Sequence, residues 1–266
     1  MNNLFDIKRF GNYFLYDLRR AKNNYGLSLL VIGLTPVMLF VFYLFFALIG
    51  SHTIEEMPEE LHFLAAFVTV FIVILGAGTK IYGFVTRKRA GSDFLMLPAS
   101  TFEKWLSMGL IVCIVLPVVF FTLLFGSDSL LSLLFPNAYG ASLLSQQWDP
   151  GLFEAMEDSG IYFNLPGVMF LQWCTNILVF TLGAVCFKKN KVAKTLFCIF
   201  GVSVVLSTLA MLFFGHAHFG PDWFTERIHD PDRMLNSFNW TLSIIYTVVI
   251  GGLLGGLYYR LRTLKH

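Results

Sequence analysis

The stretch that decides the fold is Leu61–Val85, which reads LHFLAAFVTVFIVILGAGTKIYGFV. It contains no Asp or Glu, and its one basic residue other than histidine is Lys80. An α-helix needs ~20 predominantly apolar residues to cross the ~30 Å hydrocarbon layer of a membrane. Because Lys80 lies near the end of the stretch, its long side chain can reach the headgroup region. The stretch is therefore predicted to be a transmembrane helix.

Five further stretches of the chain have the same character: 27–49, 105–125, 165–187, 192–214 and 238–259. The whole chain is 56% hydrophobic and 14% charged, whereas soluble domains average about 45–50% and about 25%. The stretches lack the strict alternation of a β-barrel strand, and continuous helices satisfy their own backbone in lipid. We predict an all-α polytopic membrane protein whose domain 27–266 holds six transmembrane helices.

The segment 1–26 has the pattern of a separate amphipathic helix. Its apolar residues recur at three- and four-residue steps: Leu4, Ile7, Phe10, Phe14 and Leu18. We predict a helix that lies in the headgroup plane, with packing on the protein's own loops as the alternative. The charged residues that precede any apolar run argue against a cleavable signal peptide.

The distribution of positive charge predicts the orientation. If the N-terminus is cytoplasmic and each span reverses the chain, all of the 19 Lys and Arg residues except Arg227 and Arg233 fall on the cytoplasmic side. Lys and Arg in short flanking loops favour the cytoplasm. Both termini are therefore expected to be cytoplasmic. The formal net charge of +2 gives no reason to expect a nucleic-acid partner.

Small and polar residues inside the spans suggest two packing or pathway features. The last span carries overlapping GxxxG patterns formed by Gly251, Gly252, Gly255 and Gly256. Glycines at this spacing allow another helix to approach closely, either within the bundle or in a second subunit. Gln172 and Asn176 lie one helical turn apart in the fourth span, where they either line a pathway or form interhelical hydrogen bonds.

No metal site is predicted. The cysteines fall within spans without CxxC spacing and are expected to be packing residues: Cys113, Cys174, Cys186 and Cys198. His216, His218 and His229 follow the fifth span among acidic residues. Solvated loop residues are the favoured interpretation, because nothing predicts a strand that would align the HxH pair.

The connection Gly91–Lys104, GSDFLMLPASTFEK, interrupts the apolar chain between the second and third spans. Asp93 is predicted to cap a short helical turn over residues 94–97. Pro98 ends that turn, because the residue before a proline avoids helical angles. Ser100 and Glu103 then match the capping box that begins a new helix.

The apolar residues of this connection need a surface to bury against. They fold under the protein's own bundle, dip into lipid, or contact a cytoplasmic partner as a helix in a groove. The last of these readings defines a partner-docking segment that consists of Asp93, Phe94, Leu95, Leu97, Pro98, Glu103 and Lys104.

The segment Leu95–Ser107, LMLPASTFEKWLS, also carries a resemblance to a known family. It resembles the loop between the second and third spans in the permease subunits of ATP-binding-cassette exporters of the second type. The residue-level similarity is confined to Leu97, Pro98, Ala99, Ser100 and Lys104. The coarse features that the family implies match across essentially the whole chain: six spans, cytoplasmic termini, an amphipathic N-terminal helix and a docking loop.

The resemblance implies a permease subunit in the inner cell membrane that exports a substrate. Its implied partners are a cytoplasmic ATPase subunit, a second permease in a homodimer or heterodimer, and membrane lipids. One departure is the polar loop that precedes the last span, where the family commonly has short apolar re-entrant helices.

The chain itself is expected to be neither an enzyme nor a cofactor-binding protein. Gly76–Lys80, GAGTK, lacks the GxxxxGK[ST] spacing of a phosphate loop and lies inside a predicted span. ATP is therefore expected to be bound by the partner subunit.

Other functions remain open on the sequence. A noncatalytic membrane scaffold or sensor is the main alternative. An ion-coupled carrier is less favoured, because no carboxylate or histidine lies at a span centre. An intramembrane enzyme would need converging groups, and the available ones are Ser203, Ser207, Thr208 and His62. Hydroxyls in spans normally bond back to their own helix.

Overall fold

A computed structural model describes residues 5–50, 56–147, 165–216 and 231–264, and its secondary structure in these ranges is helical throughout. Three short turns of other helix types connect α-helices: Lys22–Gly26, Gly83–Thr86 and Ile111–Val115. In chain order, the α-helices are α1 (Ile7–Ala21), α2 (Leu27–Gly33), α3 (Thr35–Ile49), α4 (Glu59–Tyr82), α5 (Lys88–Met96), α6 (Thr101–Leu110), α7 (Leu116–Leu134), α8 (Pro136–Tyr139), α9 (Leu143–Gln147), α10 (Leu165–Cys186), α11 (Lys191–His216) and α12 (Pro231–Thr263).

Within the described residues, the helices are compatible with a multi-pass membrane protein. Five helical runs are long and apolar enough to cross a membrane: Glu59–Thr86, Thr101–Leu134, Gly167–Cys186, Lys191–Leu209 and Trp240–Thr263. A sixth span results if the bent pair Ile7–Gly33 and Thr35–Ile49 is counted as one. The prediction of an all-helical chain with several potential spans is confirmed at this level.

The N-terminal helix does not end where the sequence predicted a boundary at residue 26. α1 continues through the π-helical turn Lys22–Gly26 into α2. The break comes instead at Leu34, and the axis bends there by 42°. Pro36 lies in the first turn of α3, where it has no amide hydrogen to donate and favours a helix start over a helix interior. The proline therefore determines where the first helix stops.

A second proline explains a contact between helices. Pro117 lies in the first turn of α7 and offers no amide hydrogen to the Cys113 carbonyl four residues earlier. The Cys174 thiol of α10 lies 3.9 Å from that carbonyl oxygen. The four cysteines are free thiols. Cys174 is buried and packs between helices as predicted, whereas Cys198 is exposed and does not.

The core lies between α4, the α6–α7 run and α10. Val73, Phe120 and Ile177 are fully buried where these helices meet. α11 and α12 lie at the periphery, and every position of residues 196–209 on α11 is exposed. The bundle therefore has an apolar centre and long apolar surfaces at its edge.

The α4–α10 crossing depends on a glycine. A Cβ atom added to Gly78 would lie 2.8 Å from the Thr181 backbone nitrogen and 2.9 Å from its Cα. Helices in lipid associate through such close backbone approaches. Gly76, two residues earlier, would place its Cβ 3.9 Å from the Tyr25 hydroxyl, an ordinary contact.

We expect Gly78→Ala to destabilise the bundle by about 1–3 kcal/mol, because the methyl group would push against α10 backbone that has no room to shift. Thermal unfolding of the purified protein in detergent measures the effect. Gly76→Ala is the matched control on the same helix and should be neutral or slightly stabilising. Equal behaviour of the two variants would contradict the close crossing.

Candidate functional site

The candidate site is the connection between α4 and α6, which carries the predicted docking segment. The capping box is confirmed: the Ser100 side chain accepts from the Glu103 amide, and Glu103 reaches back to the Ser100 amide. The preceding helix is longer than predicted, since α5 begins at Lys88 and Asp93 lies inside it. Leu97 then adopts extended angles before Pro98 and ends the helix.

Phe94 points into the bundle. Its side chain is 1% exposed, and its ring meets the Phe84 ring edge to face with centroids 5.9 Å apart. The Arg20 guanidinium lies 3.3 Å from the Phe84 centroid and completes this layer. Phe94 therefore packs under the protein's own helices, which was one of the predicted alternatives.

Lys104 fastens the end of α5 to the beginning of α6. Its buried Nζ donates to the carbonyl oxygens of Phe94 at 2.8 Å and Leu95 at 3.2 Å. These carbonyls belong to the last turn of α5, where intrahelical donors run out and a positive charge is favourable. A lysine at this position therefore takes the role of a C-terminal cap for α5.

Glu103 joins α6 to the N-terminal helix. Its buried carboxylate accepts from the Arg9 guanidinium, with the shortest contact at 2.8 Å, and from the Asp6 amide at 3.0 Å. The same carboxylate accepts from the Ser100 amide at 2.8 Å. One side chain thus caps α6 and holds the beginning of α1.

A second buried carboxylate holds the middle of α1. Asp17 accepts hydrogen bonds at Oδ2 from the Tyr82 hydroxyl at 3.1 Å and the Ser107 hydroxyl at 2.7 Å. The donors come from the end of α4 and from α6. Asp17 therefore ties α1 to both helices that flank α5.

The docking prediction must be corrected for three of its residues. Phe94, Glu103 and Lys104 are buried and already bonded or packed within the chain, so their side chains are not presented to a partner. The exposed surface of the segment consists of Asp93, Leu95, Met96 and Pro98, with Leu97 half-buried. Met96, which the prediction left out of the segment, is 83% exposed, compared with 38% for Leu95.

The other predicted residues lie elsewhere. Apart from the neighbouring residues and the backbone of α12 itself, no atom of the described residues lies within 4 Å of a Cβ placed on Gly251, Gly252 or Gly255. Gly256 faces Leu182 of α10, with 3.6 Å from its would-be Cβ to a Leu182 methyl carbon. The glycine stripe thus faces outward except at Gly256.

Gln172 is exposed and Asn176 is half-buried on α10. Gln172 lies toward the N-terminal end of this helix and Asn176 near its middle, whereas Ala184, near its C-terminal end, lies beside the α4–α6 connection. Among the described residues, no group of three or more His, Cys, Asp or Glu could hold a metal ion. His218 and His229 lie outside the described residues.

A buried polar cluster at the opposite end of α4 was not predicted from the sequence. Asp128 accepts from the Tyr139 hydroxyl at 2.6 Å and the Leu143 amide at 2.7 Å. His62 Nδ1 lies 3.5 Å from the same carboxylate. These bonds fold α8 and the start of α9 over the ends of α4 and α7.

Known protein families, characterised proteins and solved structures include no match to this chain.

We expect Lys104→Met to loosen α5, because the Phe94 and Leu95 carbonyls lose a charged donor worth about 1–3 kcal/mol. Hydrogen exchange of the amides of residues 88–97 should become about tenfold faster. Lys80→Met, at an exposed lysine of α4, is the control and should leave this exchange unchanged. Identical exchange in the two variants would show that Lys104 does not hold the helix.

Proposed function

We propose that the chain is the membrane-spanning permease subunit of an ATP-driven exporter. It works as a homodimer or heterodimer in the inner cell membrane, with both termini cytoplasmic. A separate ATPase subunit docks on the α5 surface, which we define as Asp93, Leu95, Met96 and Pro98. The observation that carries the proposal is the exposure of Met96 on a helix that buried contacts hold firmly.

The shape of α5 suits a docking element. It has nine residues, and isolated helices shorter than ~12–15 residues are marginal in water. Lys104 and Phe94 nevertheless hold it against the bundle, while Leu95 and Met96 remain 38% and 83% exposed. Apolar residues on a short fixed helix are suited to insertion into a groove of a partner.

The contacts behind α5 suit the transmission of movement. A displacement of α5 acts on α6 through Lys104, and α6 is bonded to α1 through Glu103 and Arg9. Asp17 joins α1 to α4 and α6. α1 also continues directly toward the first span. A displacement of α5 is therefore transmitted to α6, α1 and α4 together.

The proposal assigns no phosphate binding to Gly76–Lys80. These residues are regular α-helix within α4, whereas a phosphate loop needs non-helical backbone amides that converge on the phosphates. Gly78 serves the crossing with α10. The energy source in the proposed exporter is therefore the partner.

A second candidate is an ion-coupled carrier, which the buried carboxylates Asp17 and Asp128 favour. Ionisable residues inside membrane bundles often mark ion pathways. Each of these carboxylates, however, accepts hydrogen bonds that tie helices together. Ion-gradient-driven uptake in proteoliposomes without ATP, abolished by Asp17→Asn, would favour the carrier over the exporter.

The docking surface predicts the effect of Met96→Asp. Tagged full-length chain is purified from the cells that naturally make it, and vanadate-sensitive ATP hydrolysis is measured in the eluate. A buried charge in the groove contact should reduce the recovered ATPase activity at least about tenfold.

Leu133→Asp is the matched control, because Leu133 is also 83% exposed but lies at the far end of the α6–α7 run. It should retain the ATPase. ATPase recovery that is unchanged by Met96→Asp, or no ATPase with the unaltered chain, would overturn the proposal and favour a scaffold or sensor.

A further inference from the structure

Two basic segments that are distant in the sequence meet at the end of α4. Lys191, at the start of α11, donates from Nζ to the Gly83 carbonyl, to Thr86 Oγ1 at 2.6 Å and to the Ala184 carbonyl at 3.0 Å. One ammonium group at the start of α11 thus joins the last turn of α10 to the turn before α5. Arg87 is close enough to act on Lys191 electrostatically.

The surface around this bridge carries several positive charges. We call it the basic junction and define it as Arg87, Arg89, Lys188, Lys189, Lys191 and Lys194. All of its residues except Lys191 are exposed. α10 and α11 contain no Asp or Glu, and in the described part of the chain the basic junction makes no ion pair with a carboxylate. Like charges held together in this way favour an anion.

The basic junction lies where an apolar surface begins. Lys194 Nζ lies 5.9 Å from the Phe187 ring centroid. One turn further along α11, Phe197 is 78% exposed, and exposed residues continue to Leu209. Lysine and arginine at such a boundary extend toward the phosphates while their stems stay on apolar surface. In the proposed membrane setting, the basic junction is therefore level with lipid headgroups.

We propose that the basic junction binds the phosphate-bearing headgroup of an anionic phospholipid, whose acyl chains lie along the exposed face of α11. The inference is independent of the exporter function and of the α5 surface. Lys191 is occupied by its three protein acceptors and holds the two segments together. The exposed cations supply the contacts, with lysines acting as point charges and arginines offering paired donors.

The experiment uses the purified full chain in a neutral detergent. A short-chain phosphatidylglycerol is titrated, and the rise in melting temperature gives an apparent affinity, because a ligand that binds the folded state stabilises it. Parallel titrations use phosphatidylcholine of the same chain length and inorganic phosphate. Phosphatidylglycerol should stabilise the protein, and the other two should have little effect.

Lys188→Gln/Lys194→Gln removes two cations and leaves the Lys191 bridge intact. It should weaken the apparent affinity for phosphatidylglycerol on the order of thirtyfold. Each cation near an anionic lipid surface contributes roughly five- to sixfold to the affinity, and two such contributions multiply. Arg19→Gln/Lys22→Gln removes two exposed cations near the end of α1 and is the matched control. It should change the affinity less than threefold, because neither residue belongs to the basic junction and salt screens charges that do not contact the lipid directly.

Four results would overturn the proposal. Equal stabilisation by phosphatidylcholine would indicate acyl-chain binding alone, and equal stabilisation by inorganic phosphate would indicate a free-anion site. Equal losses in the two double variants would indicate diffuse attraction without a site. Unchanged lipid affinity in Lys188→Gln/Lys194→Gln, together with loss of a captured ATPase, would assign the basic junction to an acidic protein surface.

Discussion

Hydrocarbon offers no partners to polar groups, and the positions of the buried charged side chains in the bundle are compatible with this constraint. The buried Asp, Glu, Lys and His side chains form two layers, one around Asp17 at the α5 end and one around Asp128 at the α8 end. Tyr82 and His62 contribute to the two layers from α4, and the helix rises about 30 Å between them. That distance equals the ~30 Å of a hydrocarbon layer. The core between the layers is apolar, as at Val73 and Ile177.

The polar layer at the α5 end explains why α5, a helix too short to be stable by itself, is held in a fixed position. α5 is too short to be stable alone, so tertiary contacts decide whether it forms. Charged hydrogen bonds such as those from Lys104 contribute about 1.5–3 kcal/mol each, and the burial of Phe94 adds a comparable amount. The residues that the sequence offered as docking contacts, Glu103 and Lys104, work instead as the support that keeps Leu95 and Met96 in a fixed position.

The sequence predicted the features that short segments encode by themselves. Span length follows from apolar runs, and the capping box follows from Ser100 and Glu103 three residues apart. The Arg9–Glu103 pair could not be predicted, because its partners come from distant parts of the chain and many charges were available to each. Asp17 did leave a signal. Tyr13 and Ala21 lie four residues to either side of it, so its stripe of the helix is buried rather than polar.

The continuation of α1 into α2 was missed for a related reason: the change from mixed to apolar composition near residue 26 marks a change of environment, and only a proline or a capping residue ends the helix itself.

The two peripheral helices, α11 and α12, differ in whether lipid or a second helix covers their exposed faces better. On α11, the exposed hydroxyls of Ser203, Ser207 and Thr208 all donate to carbonyls of their own helix. These three hydroxyls therefore need no partner from outside the helix, and lipid is sufficient to cover this stretch of α11. On α12, Gly251, Gly252 and Gly255 leave backbone open, which lipid chains fill less closely than a second helix does. In the proposed dimer, contact between subunits thus gains more on the α12 face than on α11, which leaves α11 and its basic junction free for lipid.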